Sequence, residues 1–430
     1  MEYKKFRENM AKNKIIILIL TLIFTMNSVH AYEIKELIEI LYKKNQTESV
    51  FFYDNKINEL NIKNSYSSFY PSVSYSNTTS DTETKTTTSS SVSSNTHNLS
   101  VNLNLYNGGY RDQNIIETSN KNYANNFLNE YKKSLLIKEL ILGYYNLKSL
   151  NELKEISKNN ISFYSNKLKE AEILFEAGRL SKIDLLNFKS SKMNSENDLF
   201  DVSNEIDNLM LKLSNLLDMD IKFNEIQLDY DVVISESLIK KKQLSDLMNS
   251  SYGKYLSFME KTYLPEMKKS KRDLYPSVDL GYDYSDTDKF SSTIGNRSSS
   301  SVSLTLTVPI FNGFKKENDF DIKKYEYEKK ILDHKEMVKN FYTDYKINYN
   351  NYNNTLNKIN SQKVIVESNQ LKYNGSNILY KANRINVTEL IDSQASLDQS
   401  INVLNQLEID LKNSAMNIII YNGEFHKIIN

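Results

Sequence analysis

Tyr275-Pro276-Ser277-Val278-Asp279-Leu280-Gly281-Tyr282-Asp283-Tyr284 and Ser301-Val302-Ser303-Leu304-Thr305-Leu306-Thr307-Val308-Pro309-Ile310 alternate apolar and polar residues. Val278, Leu280, Tyr282 and Tyr284 share one face against Asp279 and Asp283. Val302, Leu304, Leu306, Val308 and Ile310 oppose Ser301, Ser303, Thr305 and Thr307. A period of two with one polar face predicts two strands, about 275–285 and 300–310. Their length, roughly ten residues, suits a tilted membrane strand.

The same pattern occurs 205 residues earlier. Tyr70-Pro71-Ser72-Val73 matches Tyr275-Pro276-Ser277-Val278, and Leu105-Tyr106-Asn107-Gly108 matches Ile310-Phe311-Asn312-Gly313. Arg179 and Asp184-Leu185-Leu186 match Arg384 and Glu389-Leu390-Ile391. Leu199, Val202 and Ile206 match Leu404, Leu407 and Leu411. Four matches at one offset define a duplicated unit. The first-copy strands are predicted at 70–80 and 97–106, with Leu99, Val101, Leu103 and Leu105 on one face. Between them lies Ser76–Ser100, in which 19 of 25 residues are Ser, Thr or Asn. It reads as a solvated loop at a hairpin tip, with 286–299 as its counterpart.

The remaining sequence is helical in period. Each unit opens with a helix, about 33–67 and 238–272. After its strands come a very long helix, about 110–177 and 315–381, and a closing helix, about 180–217 and 385–421. Only 4 Pro and 10 Gly interrupt 430 residues. Leu199, Val202, Ile206, Leu209, Leu213 and Leu216 form a heptad seam, and Leu128, Leu135 and Leu142 repeat every seven. A helix over 110–177 measures about 100 Å. The units are therefore 32–230 and 238–430, with a linker near 218–237.

Lys4, Lys5, Arg7, Lys12 and Lys14 precede an apolar run, Ile15–Phe24, and Val29-His30-Ala31 supplies a small-x-small cleavage pattern. This predicts an export signal over 1–31, with the mature chain starting at Tyr32. Its removal takes five basic and two acidic residues from 54 of each. That leaves 49 against 52, a net charge of −3, with no basic surplus to suggest a nucleic-acid partner. Cysteine is absent, which excludes disulfides, thiolate metal sites and a lipidated N-terminal cysteine. His30, His97, His334 and His426 are scattered. No nucleophile motif, phosphate loop or metal-ligand spacing appears, so neither an enzyme nor a cofactor is expected.

Four strands per chain cannot close a membrane barrel, whose smallest forms have about eight, and open edges are not tolerated in lipid. Three chains would pool 3 × 4 = 12 strands under cyclic symmetry. Over its whole mature length the chain resembles the TolC-type outer-membrane efflux proteins. The resemblance rests on the tandem repeat, the openers Tyr70-Pro71 and Tyr275-Pro276, and the turns Tyr106-Asn107-Gly108-Gly109 and Pro309-Ile310-Phe311-Asn312-Gly313. It rests also on the tips Phe175-Glu176-Ala177-Gly178-Arg179 and Tyr380-Lys381-Ala382-Asn383-Arg384. It implies a mixed α/β membrane protein whose homotrimer forms a 12-stranded β-barrel continued by an α-helical coiled-coil barrel. Such a protein stands in the outer membrane of a Gram-negative-type cell, with its helical part in the periplasm. It serves a tripartite efflux pump or a type I secretion system. Its partners are its own copies, outer-membrane lipid, a periplasmic adaptor and an inner-membrane transporter of ABC or RND type. The outlet is passive and the transporter chooses the cargo.

The same resemblance assigns the tips around Gly178, Arg179, Leu180, Asn383, Arg384 and Ile385 to adaptor contact. It assigns Glu389 and Asp392, with Asp184, Tyr380 and Arg384, to a periplasmic aperture. Family members usually carry Gly at both tips. Here the second has Asn383, the next-best residue for a left-handed backbone. The other reading of the sequence is an exported periplasmic or surface coiled-coil scaffold or adhesin, which leaves the two-faced strand pairs unexplained.

Overall fold

The computed structural model describes residues 31–85, 89–229, 235–289 and 296–429. The expected export signal falls on 1–31 and so lies outside the described residues but for Ala31. Tyr32 is already paired: its N–H donates to the Glu225 carbonyl at 2.7 Å, and its carbonyl accepts from Gln227 N at 3.0 Å.

The major elements are α1 (Ile34–Lys44), α2 (Gln46–Ser67), β1 (Ser72–Lys85), β2 (Ser89–Asn107), α3 (Tyr110–Glu176), α4 (Lys182–Leu217), α5 (Ser251–Lys269), β3 (Ser277–Lys289), β4 (Arg297–Thr307), α6 (Lys315–Lys381) and α7 (Val387–Asn422). The opening helices expected over 33–67 and 238–272 are each interrupted. At Asn45 the backbone is extended, and the side chain accepts from Thr47 N at 2.7 Å. At Ser250, 205 residues on, the hydroxyl accepts from Gly253 N at 3.2 Å. Both side chains satisfy orphan N–H groups of a new helix, so the chain restarts there instead of continuing.

The duplication extends to backbone strain. Left-handed residues occur at Gly108 and Gly313, Gly109 and Phe314, Gly178 and Asn383, and Asp218 and Gly423. Each pair is again 205 apart. Gly108 is also sterically required, since a Cβ there would lie 2.8 Å from Arg272 Cα. Asn383 (φ 57°) tolerates the left-handed region where Ala does not. Asn383→Ala is therefore expected to cost about 1 kcal/mol, while Asn383→Gly is tolerated. Thermal denaturation of the two variants measures this.

The four strands form one antiparallel sheet, β1-β2-β3-β4, with β1 and β4 as open edges. Residues 76–85 and 89–100 do not form the expected loop. β1 and β2 stay in register from Ser72↔Asn102 to Lys85↔Ser89, and β3 and β4 likewise extend into 286–299. Hydroxyl and amide side chains pair across the ladder, Ser80 with Ser94 at 3.0 Å and Thr96 with Thr287 at 3.2 Å. Polar residues can thus form a strand when a facing strand pairs with them, a contact that composition alone does not reveal.

Packing divides the helices into two tiers. On the sheet side the lateral order is α2-α3-α5-α6. On the far side it is α4-α3-α7-α6, with α3 and α4 forming one hairpin and α6 and α7 another. The main core sits between the tiers. There Ile34, Leu37 and Leu41 of α1 pack with Ile141 and Tyr144 of α3, Leu213 and Leu217 of α4, and Ile419 of α7. No helix among the described residues is long and apolar enough to cross a membrane.

Candidate functional site: two hairpin tips, a two-faced sheet and uncovered seams

Both hairpins turn by the same device. Gly178 N donates to Phe175 O at 2.9 Å and Arg179 N to Leu174 O at 2.8 Å. Asn383 N donates to Tyr380 O and Arg384 N to Leu379 O, both at 2.9 Å. A left-handed residue followed by this bond pair closes a helix and releases the chain sideways. The next helices start on caps. Ser181 Oγ accepts from Asp184 N at 3.0 Å, and Asn386 Oδ1 accepts from Glu389 N at 2.8 Å. The acids return the bond: Asp184 Oδ2 accepts from Ser181 Oγ at 2.7 Å and Glu389 Oε1 from Asn386 Nδ2 at 3.1 Å. Asp184 and Glu389 thus stand at matching first-turn positions and favour helix initiation there.

Just inside the tips lies a small core of Tyr164, Ala171, Phe188 and Val387, with Leu180, Leu185, Tyr380 and Ile391 around it. Tyr380 brings α6 onto this core, its ring edge-on to Phe188 at 6.0 Å and 5.4 Å from Lys167 Nζ. Burial, then the charges of Glu170 and Asp184, push its phenol pKa up. Arg384 and Arg179 are exposed and make no ion pair among the described residues. Gly178, Asn383, Glu389 and Asp392 are exposed as well, while Leu180 and Ile385 are half-buried. The buried lysine Lys167, paired with Glu170 at 2.7 Å, was not expected at this site. Its charge and spacing resemble those of any solvated helix lysine, so the sequence carries no signal for it.

The sheet is two-faced across all four strands. On one face run the rows Val73–Val101–Tyr282–Val302 and Leu103–Leu280–Leu304. On the other run Ser74–Ser100–Asp283–Ser301 and Asn104–Asp279–Thr305, bonded by Ser100 Oγ to Asp283 at 2.6 Å and Asn104 Nδ2 to Asp279 at 2.7 Å. Aromatic side chains stand at both ends of the apolar face. Tyr75 and Tyr284 lie at one end, in the row with Leu99, and Tyr106, opposite Val278, lies at the other.

The outermost helices expose regular apolar seams. Leu186, Met193 and Phe200 of α4 recur every seven residues and are 49%, 54% and 67% exposed. Val364, Leu371 and Ile378 of α6 do the same at 64%, 66% and 68%. On the sheet-side tier Val50, Tyr53, Ile57 and Leu60 of α2 are exposed at spacings of 3, 4 and 3. The seam legible from Leu199 to Leu216 is a different one. It turns inward, with Ile206 and Leu213 buried in the main core. An every-seven apolar seam buries its face only against another helix.

The described histidines stand apart. His97 contacts Tyr75 and Asn95 on the sheet. His334 of α6 is buried beside Tyr263, with Glu260 at 3.6 Å. Burial lowers the His334 pKa, opposed in part by the Glu260 carboxylate. The folded chain then binds this proton less readily than the unfolded one. The stability contribution is complete above about pH 6.5 and falls as pH drops below it. His334→Phe is expected to flatten that part of the profile in thermal unfolding followed from neutral to mildly acid pH. No group of three or more metal-binding side chains occurs among the described residues.

This combination, a four-stranded two-faced sheet set on two long helical hairpins in tandem, is the fold of the TolC-type outer-membrane channels. CusC matches at a TM-score of 0.79 with 14% identity, over 91% of this chain and 92% of that one. VceC from Vibrio cholerae matches at 0.77 with 11% identity over 91% and 96%, and the open-state MtrE channel of Neisseria gonorrhoeae at 0.77 with 12% identity over 91% and 88%. No family model matches the sequence, and no curated protein matches it.

Proposed function

We propose that the chain is the protomer of a homotrimeric outer-membrane duct, the passive exit of a tripartite efflux pump or type I secretion system. Three copies contribute twelve strands to one barrel and twelve helices to each tier of a tube below it. The observation that carries the reading is the set of uncovered edges. In one protomer the strands β1 and β4 and the outermost helices of both tiers each have a neighbour on one side only among the described residues, so one lateral contact between copies covers all of them. The likeness to solved outer-membrane channels supports the same assembly. The export signal at 1–31 delivers the chain, which starts at Tyr32 once cleaved. The tips around Gly178–Leu180 and Asn383–Ile385 face the periplasm and meet an adaptor that couples the duct to an ABC or RND transporter. Charge reversal at both Arg179 and Arg384 is expected to abolish export while the trimer still inserts. Unchanged export would remove them from the contact.

The apolar sheet face meets lipid and the Asp279–Asp283 face lines water. The chain has no cysteine, so Leu304→Cys and Thr305→Cys each report a single position. In proteoliposomes a membrane-impermeant maleimide should label Thr305→Cys much faster than Leu304→Cys. The reverse order would place the faces the other way round. A coiled-coil scaffold, by contrast, would be soluble without detergent and label both.

A further inference from the structure

The sheet continues well past the end of its apolar face. On that face the row Tyr75–Leu99–Tyr284 is followed by Asn77–His97–Asp286–Ser298, then Thr79–Asn95–Asp288, then Asp81–Ser93. From Leu99 to Ser89, β2 runs on for about 33 Å, or about 25 Å of height at a strand tilt near 40°. These polar rows are ordered among themselves. Tyr75 Oη and His97 Nδ1 are 2.7 Å apart, Asn95 Nδ2 and His97 Nε2 3.3 Å, and Thr79 Oγ1 donates to Asn95 Oδ1 at 3.3 Å. Ser93 donates to Asp81. The Tyr75 and His97 rings stack at 6.2 Å and 20°.

We propose that this outward face is a saccharide-contacting surface, seated among the sugar headgroups of a glycolipid leaflet. The proposal rests on the barrel reading. Tyrosines at the margin of an apolar band mark the headgroup level. Above that level the face offers hydroxyls and amides held in place by a ladder, a flat aromatic pair, and the carboxylates Asp81, Glu83, Asp286 and Asp288. Sugar hydroxyls donate to carboxylates in charge-assisted bonds, and the C–H face of a sugar ring lies on an aromatic ring. A layer of bare lipid phosphates would instead meet like charge. The surface continues the lipid-facing band without a step, so the molecules that cover one also cover the other.

Asn95→Cys reports the outward face and Thr96→Cys the opposite one. Each variant is reconstituted in phosphatidylcholine vesicles, in the same vesicles with digalactosyl diacylglycerol, and in vesicles with phosphatidylglycerol instead. The galactolipid should slow impermeant-maleimide labelling of Asn95→Cys several-fold and leave Thr96→Cys unchanged. Adding Asp286→Asn and Asp288→Asn should abolish the slowing, and phosphatidylglycerol should not produce it. Labelling of Asn95→Cys that ignores the galactolipid overturns the proposal, as does equal slowing by phosphatidylglycerol, which would be headgroup crowding alone. If Leu304→Cys is not protected relative to Thr305→Cys, the barrel reading itself fails. Protection at Leu304→Cys with an indifferent Asn95→Cys sinks only the sugar surface.

Discussion

Met193→Asp combined with Leu371→Asp is expected to abolish the proposed trimer while leaving the protomer helical. The two side chains stand at the centres of the exposed seams Leu186–Met193–Phe200 and Val364–Leu371–Ile378. Neither takes part in the buried clusters of the protomer. Replacing them therefore costs the isolated chain little. Between copies the account differs. Each apolar side chain forfeits about 1.5–3 kcal/mol of burial, and each introduced carboxylate adds the cost of removing an unpaired charge from water. Cyclic symmetry repeats the loss at all three interfaces. Sedimentation in detergent should show monomers, and far-UV circular dichroism should be unchanged. A persistent trimer with lost export would instead assign the seams to the adaptor. A persistent trimer with normal export would leave them without a partner role.

In the proposed duct, the aperture reading predicts a preference for cations and block by multivalent cations, and Glu389→Ala with Asp392→Ala is expected to abolish the block and weaken the preference. The two acids are three residues apart at the start of α7, on one face of the helix, and both are exposed. The proposed trimer gathers six carboxylates (2 × 3) around one aperture, where a trivalent cation is held far more strongly than a monovalent one. In planar bilayers the parent should be blocked from the periplasmic side. The double variant should need about tenfold more cation or greater, equivalent to about 1.4 kcal/mol. Part of Glu389's role is local, since it closes the cap with Asn386. Asp392 has no part in that cap. Asp392→Ala alone should therefore reduce the block with little change in stability. If the double variant is blocked like the parent, the aperture lies elsewhere.

The order of elements could be read from local pattern alone. Period two in 99–105 and 302–310 and the scarcity of Pro and Gly each depend on neighbours within a few residues. So do the left-handed turns, and Asn383 fits the second tip because its short amide tolerates that backbone. The breaks at Asn45 and Ser250 have no such local signature. A cap side chain inside an apolar-periodic run looks like any polar residue until the helix is seen to restart on it. Residues 76–85 and 89–100 depart from expectation for the opposite reason. Their composition suits a loop, and only pairing with the facing strand makes them a ladder.

The candidate site divides along the same line. The sequence by itself determined the duplication, the two hairpin tips and the matching acids Asp184 and Glu389, because capping and turn chemistry are local. Only the tertiary structure decided that Tyr380 lies against Phe188 and Lys167, since those residues come from three helices. It also decided which apolar seam turns inward and which is left bare. Both seams obey the same seven-residue spacing. Leu213 is buried because α1 and α3 cover it, and Phe200 is exposed because no element among the described residues of its own chain does. Periodicity states that a face must be covered; only the packing of the rest of the chain states what is left to cover it.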